Sequence, residues 1–494
     1  MLKHIIPITK PLVYGIKKRP EIIDIKDFIA HLEYENLYSA GSRHFIIAKD
    51  SGIFFELDQS GYDLLKNEEG VDWDSQISRE ITDELMKLVE VGAFEKLNRE
   101  EIDNSNKLNS LNINICGKCN LSCRYCFAGE GAYGTENRDI TTETLKTTID
   151  TATAAIPKKG KLNIVLFGGE PLLRKDIVYF AIDYCRRLEQ DKGIEIIIDI
   201  FTNGTLIDQQ FIDLIKRDDR VRLLLSLDGP PEINDFNRRL KNGAKLSEVI
   251  ESKLKLIQSI PENRIVIRAT LAQTKPDIVD KAEYFRRLGF KNIVFDVSYC
   301  KDHESIPAAN QLLAGLRNEI RELSNYFIIQ MRRRQSLNIN LLSENISQII
   351  MNRKDAETAY VGQCPAGRNY LAVDSLGDIY PCHFFVGKLD FRFGNICANG
   401  LVQKNMSTDN GVTDLSKQAY GKCRSCSLVN ICEGPCPYKQ LIINTDSTCV
   451  SKESCSLLRT RFAESLKVLS TLYNNCKWPF IDEWKELIEK RGVL

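Results

Sequence analysis

The sequence predicts an α/β protein: a partial (β/α)6 barrel with an N-terminal winged-helix-like domain and a C-terminal cysteine-rich domain. Three observations carry this. Between residues 106 and 310, six short apolar runs alternate with helical segments, the pattern of a parallel sheet with helical crossovers. Ten cysteines fall into two spaced groups, one just after the first of those runs and one near the C-terminus. Residues 1–105 hold neither group and read as short strands followed by helices.

In residues 1–105, His44–Ala48 and Ile53–Leu57 read as two strands joined by the turn Lys49-Asp50-Ser51-Gly52. Gly61–Lys66 and Asp83–Val91 read as amphipathic helices, with Leu85, Leu88 and Val89 at helical spacing. In residues 106–310 the expected strands are Leu111–Ile115, Leu162–Phe167, Ile194–Phe201, Val221–Leu227, Ile265–Leu271 and Ile293–Val297. The helices between them include Thr141–Ala155, Ile177–Glu189, Gln209–Arg217 and Pro276–Leu288. Six such units close only part of a barrel. Residues 311–361 read as a helical bridge, whose Arg332-Arg333-Arg334 run is a solvated face. Residues 362–460 are rich in Cys, Gly and Pro; a segment with so few long apolar runs needs a bound group to hold it together. Residues 461–494 read as terminal helices.

Lysine plus arginine equals aspartate plus glutamate, 67 each, so net charge is near zero. This weighs against nucleic acid and against an anionic membrane as partners. The N-terminus opens no secretory apolar region and no run of eighteen apolar residues occurs, so a cytoplasmic location is expected. Sixteen cysteines in a long chain with CxxC pairs point to metal or cluster ligation rather than disulfides.

Cys119, Cys123 and Cys126 follow the first barrel strand, at the end where such barrels build their sites. Three thiolates in one short loop can hold three irons of a 4Fe–4S cluster and leave the fourth open. Cys116 allows a second reading, two CxxC knuckles of a zinc site. Its place at the end of a buried strand suits a plain strand-end thiol better. The second group runs Cys364-x12-Gly377-x4-Cys382, then Cys423-x2-Cys426-x5-Cys432-x3-Cys436, then Cys455. Seven ligands do not divide into two four-cysteine zinc sites. Cys432-x3-Cys436-Pro437 echoes the ferredoxin run in which the cysteine before proline reaches the neighbouring cluster. The C-terminal segment therefore reads as an iron–sulfur domain.

The Cys-x3-Cys-x2-Cys spacing, with Tyr125 before the last cysteine, resembles the radical S-adenosylmethionine (SAM) superfamily. Further matching segments follow in order at strand ends: Gly168-Gly169-Glu170-Pro171, Thr202-Asn203-Gly204, and Ser226-Leu227-Asp228-Gly229-Pro230 with Arg238 behind it. The resemblance implies that Gly168, Gly169 and Glu170 meet the SAM amino group. Thr202 and Asn203 supply a polar contact, and Ser226, Asp228 and Arg238 serve the ribose and carboxylate. Arg268 on the fifth strand is a further candidate. Glycines let the main chain approach a ligand, a carboxylate suits an ammonium, and a guanidinium suits a carboxylate.

The seven-cysteine array resembles the SPASM subgroup, which carries two auxiliary 4Fe–4S clusters, so three clusters and SAM are the implied cofactors. Carried over, Cys423, Cys426, Cys432 and Cys455 fill one auxiliary cluster, while Cys364, Cys382 and Cys436 hold the other. That second cluster lacks a fourth ligand, because Glu357-Thr358-Ala359-Tyr360 offers no cysteine. Cys449 is the rival to Cys455, it or Cys397 is a candidate for the open position, and a substrate thiolate is another. Tyr380-Pro381-Cys382-His383-Phe384-Phe385 resembles maturases of cysteine-rich ribosomal peptides of the six-cysteines-in-forty-five-residues type. Sulfatase-maturing relatives place an Asp after this cysteine as a base, and His383 stands there instead as the catalytic candidate.

The resemblance thus implies a maturase forming thioether crosslinks between Cys thiols and carbon atoms of a precursor peptide. The leader of that peptide would add as a strand to the N-terminal domain. A flavodoxin- or ferredoxin-like low-potential donor would supply electrons. Sulfatase maturation or carbon–carbon crosslinking is the alternative reaction.

Overall fold

The computed structural model describes residues 5–7, 37–48, 53–66, 72, 75–90, 108–134, 138–273, 275–298, 309–350, 364–400, 423, 426, 428, 432, 434–443 and 450–476. Residues 351–361 of the expected bridge, residues 477–494, Cys300 and Cys449 lie outside them.

The N-terminal region contains four strands where two are expected: β1 (Ile5–Pro7), β2 (Leu37–Ala40), β3 (Arg43–Ala48) and β4 (Ile53–Leu57), in the antiparallel order β1–β4–β3–β2. β1 and β2 are too short to leave a periodic signal. Phe45, Ile46, Ile47, Phe54 and Phe55 are all buried, so the inner strands are covered on both faces. The helices Gln59–Lys66 and Gln76–Glu90 follow, the first capped by Asp58, whose carboxylate accepts the Gly61 N–H at 2.7 Å. These residues do not establish a winged-helix fold.

The barrel begins at β5 (Ser110–Cys116) and continues, after the short β6 (Leu121–Cys123), through β7 (Lys161–Gly168), β8 (Glu195–Thr202) and β9 (Val221–Ser226). The short β10 (Arg238–Leu240), then β11 (Ile265–Leu271) and β12 (Asn292–Val297), follow. Six of these, β5, β7, β8, β9, β11 and β12, pair in sequence order and all parallel. Leu111, Ile113 and Ile115 on β5, and Ile196, Ile198 and Ile200 on β8, share one face of the sheet and have no exposed surface, while Asn112, Asn114 and Asp199 on the other face are buried polar residues. The crossover helices start where their caps lie. Thr141 accepts the Thr144 N–H to open Thr142–Ala154, and Asp208 accepts the Phe211 N–H to open Gln209–Arg217. The helix Leu246–Gln258 completes the set after β9.

β13 (Asn338–Ile339) extends the sheet beyond β12, and the helices Ala309–Arg332 and Asn340–Ile350 flank it. At the opposite edge the cysteine-rich segment joins the barrel sheet directly. β14 (Tyr370–Val373) pairs parallel with β5, and β15 (Asp378–Tyr380) and β16 (Gly394–Asn395) add antiparallel to it, giving ten strands in one sheet. The helix Lys452–Cys476 packs along Ala309–Arg332 and reaches the N-terminal sheet, where Arg43 Nη1 donates to Ser470 Oγ at 2.7 Å.

Candidate active site and auxiliary thiol sites

A cavity of about 410 Å³ opens at the C-terminal ends of the barrel strands. Its walls include Cys119, Cys123, Tyr125, Cys126, Gly168, Gly169, Glu170, Thr202, Asn203, Ser226, Arg238, Arg268 and His383. Of the expected SAM contacts, Asp228 alone stays behind the wall. It is fully buried and acts as a hub, accepting from Tyr125 Oη (2.6 Å), Arg238 Nη2 (2.9 Å), Asn237 Nδ2 (3.1 Å) and the Thr270 N–H (2.9 Å).

Local geometry explains the motif residues. The cysteine loop folds onto the β7 end so closely that a side chain on Gly169 would sit 1.9 Å from the Lys118 carbonyl oxygen. Gly168 has φ +128 and a Cβ there would meet the Cys116 carbonyl, so both positions require glycine. β6 pairs antiparallel with β10, which sets Arg238 directly opposite Cys123. Burial pushes the Cys119 thiol up to about 11 and the Cys123 thiol up to about 12. Arg238 draws Cys123 down, while the neighbouring thiols raise both further. Buried thiols packed this closely ionise only when a cation compensates them, which an iron cluster does.

Glu170 is 1 % exposed and accepts from the Leu172 N–H (3.0 Å), Thr202 Oγ1 (2.7 Å) and the Asn203 N–H (2.8 Å). It latches the β7 and β8 ends together. Burial pushes its carboxyl up to about 7, against those three donors. An approaching ammonium would favour its ionised form. Burial works against the Arg238 charge, but Asp228 outweighs it and holds the guanidinium protonated. Arg238 Nε is buried without a hydrogen-bond partner. An orphaned donor beside a three-thiol loop fits a carboxylate ligand of the SAM type.

On the opposite wall the sequence singles out Arg268 and His383 but not Asp296, Lys439 or Tyr370. Asp296 at the end of β12 pairs with Lys439 of the helix Pro437–Ile443, and Arg268 lies 4.0 Å from its other oxygen. Burial opposes ionisation of Asp296, but Lys439 and Arg268 together hold its carboxyl below the usual range. His383 Nδ1 lies 2.7 Å from Tyr370 Oη, and burial, with Arg268 nearby, pushes the imidazole down to about 3. It is neutral at pH 7. Burial holds the Tyr370 hydroxyl protonated, and its contact with Nδ1 fixes the orientation of the ring. Polar residues inside apolar strands (Asn112, Asp199, Asp296) are the signal that marks this wall, and all three line the cavity.

Behind His383 and Lys439 the remaining thiols form two groups. Burial raises the Cys382 thiol, and Cys436 and Cys364 raise it further. Cys423 and Cys432 are each pushed up to about 11 by burial, with Cys426 and Cys455 adding to both. Cys432 Sγ also accepts the Gly434 N–H at 3.3 Å. The thiols thus fall as Cys364 and Cys436 beside Cys382, and Cys426 and Cys455 beside Cys423 and Cys432. Among the described residues, no three His, Cys, Asp or Glu side chains converge on a single ion. Sulfurs at about 2.3 Å from one zinc would lie roughly 3.8 Å apart, whereas a 4Fe–4S cluster sets four irons between its thiolates. Cys397 lies exposed on the helix Ile396–Asn399, Cys116 ends β5 buried, and Cys185 is core.

Comparison with known proteins agrees with this geometry. Residues 113–306 match the radical SAM superfamily and residues 364–427 match SPASM, an iron–sulfur cluster-binding domain; together they take in more than half of the chain. The chain belongs to the radical SAM superfamily and carries a SPASM domain. It is an enzyme whose cofactors are SAM and 4Fe–4S clusters. The cysteine-type anaerobic sulfatase-maturating enzyme of Clostridium perfringens is 25% identical over 333 residues, covering 64% of this chain and 85% of that one. Among solved structures, anSMEcpe with bound AdoMet superposes with a TM-score of 0.63 at 21% identity, over 77% of this chain and 98% of that chain. Streptococcus suis SuiB bound to precursor peptide SuiA gives 0.52 at 19% identity, over 85% of this chain and 98% of that one. These two share the fold. No helix among the described residues is long and apolar enough to cross a membrane.

Proposed function

We propose that this enzyme is a peptide maturase that joins Cys thiols to carbon atoms of a ribosomally made precursor, forming thioether crosslinks. The observation that carries the reading is the three-thiol group Cys364, Cys382 and Cys436 behind the cavity wall. A cluster held by three cysteines keeps one iron open, and iron suits a substrate thiolate. SuiB, with the same fold, binds a precursor peptide, which supports a peptide substrate here.

Reductive cleavage of SAM at the cluster held by Cys119, Cys123 and Cys126 supplies a hydrogen-abstracting radical. The protein's own part is positioning. Arg238, fixed by Asp228, holds the SAM carboxylate, and Glu170 with the Gly168-Gly169 backbone meets the ammonium. Phe127, Phe167, Phe201 and Phe384 line the cavity with apolar surface that excludes water. His383 presents an uncharged imidazole to the cavity. Asp296 is the ionised group of that wall. Overall, one C–H and one S–H are lost for each C–S bond formed.

The test is anaerobic incubation of the reduced, cluster-loaded enzyme with SAM and a short cysteine-rich peptide encoded beside its gene. The expected product has lost two hydrogens and one alkylatable thiol per crosslink. Loss of two hydrogens with every thiol retained points instead to carbon–carbon coupling. Loss of sulfur with an aldehyde gained points to the formylglycine chemistry suggested by the sulfatase-maturating relative. Either result would displace the thioether reading.

A further inference from the structure

The helix Lys452–Cys476 does more than deliver Cys455. Cys455 lies in its first turn, and Arg459 follows one turn later on the same face. Arg459 Nη2 lies 3.4 Å from Cys426 Sγ. We propose that Arg459 poises the cluster of Cys423, Cys426, Cys432 and Cys455 as an electron acceptor, donating a hydrogen bond to one sulfur and setting a fixed positive charge beside two others.

The physical argument runs through charge. A cluster with four thiolate ligands is already anionic, and reduction adds one more negative charge. A nearby cation and N–H donors to sulfur stabilise the reduced form more than the oxidised one, so the potential rises. Arginine keeps its charge at any accessible pH. Arg459 lies within coulombic reach of Cys423 and Cys455 as well. Each crosslink leaves one electron behind once the radical has taken its hydrogen atom. A guanidinium at the four-cysteine cluster makes that cluster a favourable place to receive it. The proposal rests on cluster ligation by these four cysteines and not on which bond the enzyme forms, so it can fail while the thioether reading stands.

The experiment is an EPR-monitored redox titration of the full-length, anaerobically reconstituted enzyme, with the four-cysteine cluster assigned by the signal that Cys432→Ser alters. Arg459→Gln and Arg459→Met should hold about twelve irons and shift that one midpoint to more negative potential, Met further than Gln. Arg459→Lys should restore part of the shift. A midpoint unmoved in Arg459→Met with iron retained would overturn the proposal. If Arg459→Met loses iron, the Gln and Lys variants decide, and equal midpoints in wild type, Gln and Lys would overturn it equally.

Discussion

The cavity end of the barrel and the auxiliary thiol sites are built by opposite means. At the barrel strand ends each site residue is tied by hydrogen bonds from neighbouring strands. Glu170 takes three donors and Asp228 takes four, on a sheet whose strands are buried on both faces. The auxiliary thiols have charges that repel one another, and most of them lie where the described residues form only short elements: β14, β15, β16 and the helices Ile396–Asn399 and Pro437–Ile443. A scaffold of the first kind folds and then accepts its cofactor, whereas one of the second kind folds because it holds one.

The sharpest way to break this contrast is to remove one thiol from each side. Cys123→Ala should abolish SAM cleavage and lose about four of about twelve irons, while its thermal transition and protease resistance stay close to wild type. Cys432→Ala should lose the same iron and also expose the helix Pro437–Ile443 to limited proteolysis. Chelation of all iron should likewise leave a protease-resistant barrel. A Cys432→Ala protein as resistant as Cys123→Ala would show that the auxiliary region is stable without its cluster.

Within the barrel, the largest effect of a non-ligand residue is expected at Arg238. Arg238→Met leaves Asp228 buried without its cation, a loss of about 3–5 kcal/mol. It also removes the charged donor for a SAM carboxylate, worth about 1.5–3 kcal/mol. The KM for SAM should therefore rise by about 10- to 100-fold, with the melting temperature lowered. Arg238→Lys should recover stability better than it recovers KM, because an ammonium cannot reproduce the guanidinium fork. Equal recovery of both would mean that Arg238 serves the fold and not the ligand.

The same division decides what was legible in the sequence. Cysteine spacing and strand-end motifs are local, so Cys119 to Cys126, Gly168 to Glu170 and Thr202-Asn203 stood out and meet at one cavity. The barrel strands announced themselves because one fully buried face demands an apolar residue at every second position. A motif does not say which of its members faces the ligand. Asp228 sits in a matched segment, yet its carboxylate supports Arg238 and Tyr125 from behind. The wall made by Asp296, Lys439 and Tyr370 draws on three segments far apart in the chain: the ion pair with Asp296 holds Lys439 there, and the pairing of β14 with β5 brings Tyr370. That pairing has no sequence periodicity of its own, because four residues are too few to show one.

A smaller effect sharpens the contrast from the other side, since part of the cysteine-rich region is held by ordinary hydrogen bonds. Asp374 closes the β14–β15 turn, its Oδ1 accepting the Leu376 and Asp378 N–H groups, both at 2.9 Å. It is 7 % exposed, and burial pushes its carboxyl up to about 6 from an ordinary 3.8. The folded state therefore binds this proton more tightly than the unfolded chain does. Between about pH 4 and pH 6 this group makes stability fall as pH rises, and above pH 6 its full cost remains. Asp374→Asn keeps an amide oxygen for both backbone donors and carries no charge to bury. It should raise the stability of the holoenzyme at pH 7.5 by about 1–3 kcal/mol and show little gain at pH 4. The check is the melting temperature of both proteins across that pH range with iron content held equal. A gain of the same size at both ends would assign the effect to packing, and a loss at pH 7.5 would mean that the turn needs the carboxylate itself.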